Sequence, residues 1–171
     1  MTKKRAELLA ELLNEIVTVD NGFIPEEAWM LIHRIVCLPA VEILITRNQG
    51  KEFLLCDRKD THWDGWHIPG SYIRRNESIE ETCNRIAQND EIEIQGVTDL
   101  QVIVVSKWND HPYGAPLSLV VACHTVQKIK ETKARKFFSS IPNRVITRHE
   151  RFLKVYLDNN SKDHLEHAIL I

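Results

Sequence analysis

Two stretches, "DLQVIVVSKW" at 99–108 and "LSLVVACHTV" at 117–126, limit what this chain can become more than anything else in it. Each is a long run of β-branched and aliphatic residues, the pattern of a strand buried in a sheet. "NDHPYGAP" between them carries the proline and glycine of a loop. "AVEILIT" (40–46) and "EFLLCDR" (52–58) flank "RNQGK", and read as two more strands around a glycine-containing turn. "THWDGWHIPG" (61–70) reads as a loop.

Helical patterns surround these strands. Over residues 3–18, Leu8, Leu9, Leu12, Leu13, Ile16 and Val17 fall on one stripe of an amphipathic helix. That apolar face has to be covered, by a second copy of the chain in a homodimer or by another partner. "IPEEAWMLIHRIVCLP" starts a second helix, with Pro25 in the first turn, two acids suited to the helix dipole, and Pro39 as its stop. "IPNRVITRHERFLKVYLDN" (141–159) reads as a last helix with Val145, His149, Phe152, Leu153 and Tyr156 along one side. The tail is polar and then abruptly apolar; it either docks on a neighbour or frays. The organisation is a helical extension over 1–38, a mixed α/β domain over 39–158 and a tail over 159–171.

At 171 residues with 43% hydrophobic and 27% charged side chains, the composition is that of a globular domain with a real core. A formal charge of −2 gives no reason to expect a nucleic acid as partner. The basic N-terminus has its leucines interrupted by Glu and Asn, and no apolar run approaches 18 residues. A cytoplasmic protein without a membrane segment is the expectation. Cys37, Cys56, Cys83 and Cys123 form no C-x-x-C pair and read as reduced, small core residues.

The chemistry concentrates in "WHIPGSYIRRNESIEETCNRIAQNDEIEI" (66–94). Ser78 followed by Glu81 is a capping box, so a helix runs over 78–90. Ile79, Thr82, Cys83, Ile86 and Ala87 form its core-facing stripe. Arg85 lies one turn beyond Glu81 and can reach back toward Glu81 or Glu77 to pin the preceding loop. The stretch resembles the Nudix box, G-x5-E-x7-R-E-U-x-E-E-x-G-U, with U a bulky aliphatic. Ser71 stands at the leading glycine, Glu77 and Arg85 at the invariant acid and base, and Ile86, Asn89, Asp90 and Ile92 at the remaining acids and glycine. Similarity extends over roughly 40–156, including the strand, arginine, tryptophan and Pro-Gly lead-in at 50–70. The depleted pattern is closest to GDP-mannose mannosyl hydrolases.

That resemblance implies a Nudix-like α/β/α sandwich around a mixed sheet. It implies hydrolysis of a nucleoside-diphosphate derivative, a nucleotide sugar above all, by water with one Mg²⁺ or Mn²⁺. Carried over residue by residue, the metal would be held by the Ser71 carbonyl, Asp90 and Glu131. Glu77 and Arg85 would build the box, and Arg58 would support the diphosphate. The full set of carboxylates at i, i+3 and i+4 would share one helix face and grip hard cations; here only Asp90 remains, so a multi-metal cage is not expected. A shifted register would pair Asp90 with Glu91, but needs a π-bulge. The alternative is a Nudix-fold module that binds a nucleotide or a protein without cleaving it.

Other residues carry two readings each. Arg58 is an anion clamp at a strand end, or a surface arginine paired with Asp60 or Asp64. Trp66 packs on the core, which leaves Trp63 as the stacking candidate. His111, on a loop between strands, is a substrate contact or simply solvated. His149 reads as packed and hydrogen-bonded. "KIKETKARK" is a solvated face or a phosphate funnel. "HLEH" at 164–167 has no third ligand and is assigned no role.

Overall fold

The computed structural model describes residues 1–18, 24–89, 92, 100–124, 129–160 and 169–170. Its elements are α1 (Lys3–Thr18), α2 (Glu26–Ile35), β1 (Pro39–Arg47), β2 (Glu52–Lys59), β3 (Asp64–His67) and β4 (Gly70–Tyr72). They continue with α3 (Ile79–Asn89), β5 (Gln101–Lys107), β6 (Leu117–His124), β7 (Arg135–Phe138), α4 (Thr147–Asn160) and β8 (Ile169–Leu170).

The strands form one mixed sheet in the order β3-β2-β1-β6-β5-β8, with β4 added to β1 and β7 to β2. The central pair β1–β6 is parallel, while β1–β2, β1–β4 and β5–β6 are antiparallel. A strand's side chains alternate between faces, and this chain fills both. Val41, Ile43, Ile45, Leu54, Val121 and Cys123 pack with Cys83, Ile86 and Ala87 of α3. Leu44, Phe53, Leu55, Val120 and Ala122 pack with Phe152, Leu153 and Tyr156 of α4. Burial on both faces is why these strands read as unbroken apolar runs. The result is an α/β/α sandwich, as the sequence implied.

The capping box forms as expected: the Ser78 N–H donates to the Glu81 carboxylate at 2.7 Å and the Glu81 N–H to Ser78 Oγ at 3.1 Å. Such a cap contributes about 1 kcal/mol. Three boundaries differ from the sequence reading. The last helix begins at Thr147, not at 141, because Arg144 adopts φ 64°. The main chain there bonds β3 instead, through Trp66 N–H to Arg144 O and Ile146 N–H to Trp66 O. The segment 61–70, read as a loop, contains β3 and the start of β4, strands whose Gly, Trp and His residues carry little β signal. Residues 169–170 pair with β5 as a short strand where the sequence reading placed none.

Three cysteines are buried as expected, but Cys37 is exposed, its Sγ donating to the Ala115 carbonyl. That contact ties the residues after α2 to the β5–β6 loop, and the Leu117 N–H to Leu38 O bond ties them to the start of β6. Among the described residues, no helix is long and apolar enough to cross a membrane.

Candidate active site

The three residues of β4 alternate across the sheet, and that alternation organises the site. Ser71 pairs with Val41 and shares its face with α3; Gly70 and Tyr72 pair with Glu42 and Ala40 and share theirs with α4.

On the α3 side, Glu77 and Arg85 form a two-pronged ion pair, Nε–Oε1 2.6 Å and Nη2–Oε2 2.8 Å. The same guanidinium donates to Ser71 Oγ at 3.2 Å and to the Tyr72 carbonyl at 2.8 Å. Glu77 also accepts from the Arg74 N–H and the Thr82 hydroxyl. The Arg85 hydrogen bonds, aided by the others, hold its carboxyl far down, at about 2. The geometry makes this pair a clamp that fixes β4 and the loop after it.

On the α4 side lies a cavity of about 220 Å³, whose wall includes Glu42, Arg58, Trp63, His67, Ser71, Tyr72, Trp108, His111 and His149. Glu42 is only 6% exposed. Among the described residues its carboxylate has no hydrogen bond or ion pair; burial pushes it up to about 8, and the Arg58 charge only partly opposes this. It is therefore a neutral carboxylic acid at pH 7, able to donate a proton. A Cβ on Gly70 would lie 1.8 Å from Glu42 Oε2, so glycine there makes room for the side chain.

Arg58 extends from the end of β2 into the same wall, and its Nε donates to Asp60 at 2.5 Å. Both sequence readings thus meet in one place: a surface pair that also faces the cavity. Asp60 Oδ1 accepts from the main-chain N–H of His62 and Trp63, shaping the loop that presents Trp63. Trp63 stands 5.7 Å from His111 and 5.4 Å from Trp108, ring centre to ring centre. His111 is neutral, drawn down to about 4 mainly by burial. Trp66 faces away and packs on Phe138.

The other two histidines use Nδ1 in opposite senses, one accepting and one donating. His149, buried as its place on α4 implied, accepts the Ile68 N–H on Nδ1 at 2.7 Å, which puts its proton on Nε2. Its burial depresses its basicity well below the ordinary range. His67 bonds the Cys56 carbonyl through Nδ1 at 2.8 Å, so that nitrogen carries a proton.

The structure does not gather all the residues that the resemblance grouped. Glu131 is bonded to Arg47 at 3.0 Å. Arg47 is six residues along β1 from Val41, the partner of Ser71, a separation of about 20 Å along the strand. Ile86 is fully buried in the α3 core. Asp90 and Glu91 lie outside the described residues, as does "HLEH" at 164–167. Among the described residues no three His, Cys, Asp or Glu side chains are grouped to hold a metal. They do not fit a multi-ion cage.

Glu42, His67 and the Gly70 contact are the parts that sequence reasoning missed. The signal for Glu42 was present: it is the single acid in the otherwise apolar run "AVEILIT", and a charge inside a buried strand needs a reason.

This fold and box clamp define a known class. The NUDIX domain model matches residues 38–156, and the chain belongs to that family. Comparison with the curated proteins returns no match. Among solved structures, a MutT/nudix family protein from Enterococcus faecalis aligns with TM-score 0.61 at 15% identity, covering 98% of this chain and 77% of that one. A bifunctional NMN adenylyltransferase/ADP ribose pyrophosphatase from Francisella tularensis aligns with TM-score 0.56 at 18% identity, covering 93% and 49%. The C-terminal domain of mouse MUTYH, solved in complex with human PCNA, aligns with TM-score 0.54 at 14% identity, covering 71% and 88%.

Proposed function

We propose that this protein hydrolyses a nucleoside-diphosphate derivative, with a nucleotide sugar as the substrate class. One observation carries the reading: a buried carboxylic acid, Glu42, shares an aromatic-walled cavity with Arg58. Arg58 would support the diphosphate, a planar ring would lie against Trp63 and His111, and water would be the nucleophile. Glu42, protonated at neutral pH, would give its proton to the departing oxygen. His67, in the same wall with its Nδ1 held on the Cys56 carbonyl, would take the proton from water. Glu77 and Arg85 act as positioning residues through β4. A single Mg²⁺ or Mn²⁺, held at the Ser71 carbonyl and Asp90, would offset the diphosphate charge. The ADP ribose pyrophosphatase named in the Francisella protein agrees with this substrate class.

The second reading is a module that binds a nucleotide or a protein without cleaving it. The burial of Ile86 where the box has a glutamate favours it, and the MUTYH domain was solved bound to a protein. Incubation with a panel of nucleoside-diphosphate sugars and millimolar Mg²⁺ or Mn²⁺ separates the two. Release of sugar or phosphate, lost in Glu42→Gln, is the expected result. Tight nucleotide binding with no turnover overturns hydrolysis and leaves the module.

A further inference from the structure

The leucine face predicted for residues 3–18 is present in the structure and bare. Leu8, Leu9, Leu12 and Leu13 are 55%, 45%, 48% and 43% exposed. α1 makes no packed interface with any other described element. An isolated 16-residue helix is marginal in water, so its stability calls for something against that face.

We infer that α1 is a dimerisation helix, covered by α1 of a second copy running antiparallel to it. The borders of the leucine stripe select this occupant. At 100° per residue, Lys4, Glu11 and Glu15 lie along one border and Ala6 and Ala10 along the other. In an antiparallel pair each border meets its own counterpart, reversed end for end. Lys4 then falls beside Glu15 of the second copy, and Glu15 beside its Lys4. The alanine borders meet each other and let the helices approach closely. A parallel pair would set the charged border against the alanine border, with no opposite charge across the seam.

Arg5 points the same way. It lies near the middle of the stripe in the first turn. Parallel pairing would bury two Arg5 side chains against each other, two like charges stripped of water. Antiparallel pairing in the register above sets each beside Asn14 of the opposite helix, far from the other arginine. A membrane surface fits less well. The helix carries Glu7, Glu11 and Glu15 against Lys3, Lys4 and Arg5, so it offers no net charge to anionic lipid, and it has no aromatic anchor.

The test is the solution mass of the full chain by analytical ultracentrifugation across a concentration series, with charge swaps at the border. A dimer is expected, and Leu9→Asp with Leu12→Asp should give a monomer. That monomer should keep the wild-type melting temperature of the α/β domain, since α1 is not packed on it. Lys4→Glu should weaken the dimer about tenfold, because two border pairs become repulsive. Lys4→Glu combined with Glu15→Lys should restore it. A wild-type monomer at 100 µM, about the top of a practical range for a weak dimer, overturns the proposal. So does a dimer that survives the leucine substitutions, or a charge swap without rescue. Binding of wild type, but not the leucine variant, to anionic vesicles with no dimer in solution would assign the face to lipid instead.

Discussion

Oε2 of Glu42 lies where a Cβ on Gly70 would have to be, 1.8 Å from that position. The two residues are cross-strand partners on β1 and β4, and the carboxyl group folds over the glycine into the cavity. Gly70→Ala should therefore displace Glu42 while leaving the Glu77–Arg85 clamp intact. The expected cost is about 1–3 kcal/mol of stability, as for other overpacked sites, together with loss of turnover. Urea denaturation and hydrolysis assays would measure the two effects. A variant with wild-type activity would show that the placement of Glu42 is immaterial.

The pH dependence of stability should carry the mark of the same carboxyl. Its folded value of about 8 lies above the ordinary 4.5. Between those limits the unfolded chain has lost the proton and the folded chain keeps it. Stability therefore falls as pH rises from about 4.5 to 8, by up to a few kcal/mol in total from this group. Glu42→Gln removes that slope. Its melting temperature should match the wild type near pH 4.5 and exceed it near pH 8.5, while activity is lost. Parallel melting curves for the two proteins across that range would mean the acid is not buried as described.

Arg85 should tolerate no substitute. Lysine keeps the charge but lacks the fork that reaches both Glu77 oxygens, Ser71 and the Tyr72 carbonyl together. Arg85→Lys should cost about 2 kcal/mol, the scale of lost charge-assisted hydrogen bonds. Because the clamp holds Glu77 down to about 2, below its ordinary 4.5, its stabilisation is present above 4.5 and fades as pH falls towards 2. The variant and wild type should thus converge in acid. A constant gap down to pH 2 would contradict the pairing.

How far the chain could be read in advance follows from what is local in it. The buried strands, the Ser78–Glu81 cap and the backward reach of Arg85 are relations within a few turns or within one apolar run, and all appear; of the two acids open to Arg85 it takes Glu77, since Glu81 is held by the cap. The cavity is not local. It joins β1, the end of β2, β4, the β5–β6 loop and α4, so Glu42 meets Gly70 and Arg58 only after the sheet is assembled. Its Trp63 and His111 were recognisable as loop residues, but their 5.7 Å approach depends on two loops meeting across the sheet edge. Glu131 failed for the converse reason. It sits in the expected segment, yet Arg47 at the far end of β1 holds it. The helix start at 141 failed because a left-handed residue, Arg144, interrupts a segment whose apolar spacing alone looks helical.

Restoring the lost acid of the box should not restore a metal site. Ile86 is 2% exposed and packed among Val41, Ile43, Cys83 and Val121 on the α3 side of the sheet. A glutamate placed there would bring an unpaired carboxylate into that apolar cluster. Ile86→Glu should destabilise the protein by about 3–5 kcal/mol at pH 7, the scale of an uncompensated buried charge. The penalty should shrink near pH 4, where the carboxyl stays neutral. Urea midpoints at the two pH values would show the difference, and Mn²⁺ titration followed by electron paramagnetic resonance should detect no gain in bound ion. If the variant keeps wild-type stability and takes up Mn²⁺, residue 86 points outward towards the ligand, and the core packing of α3 described above is wrong at that position.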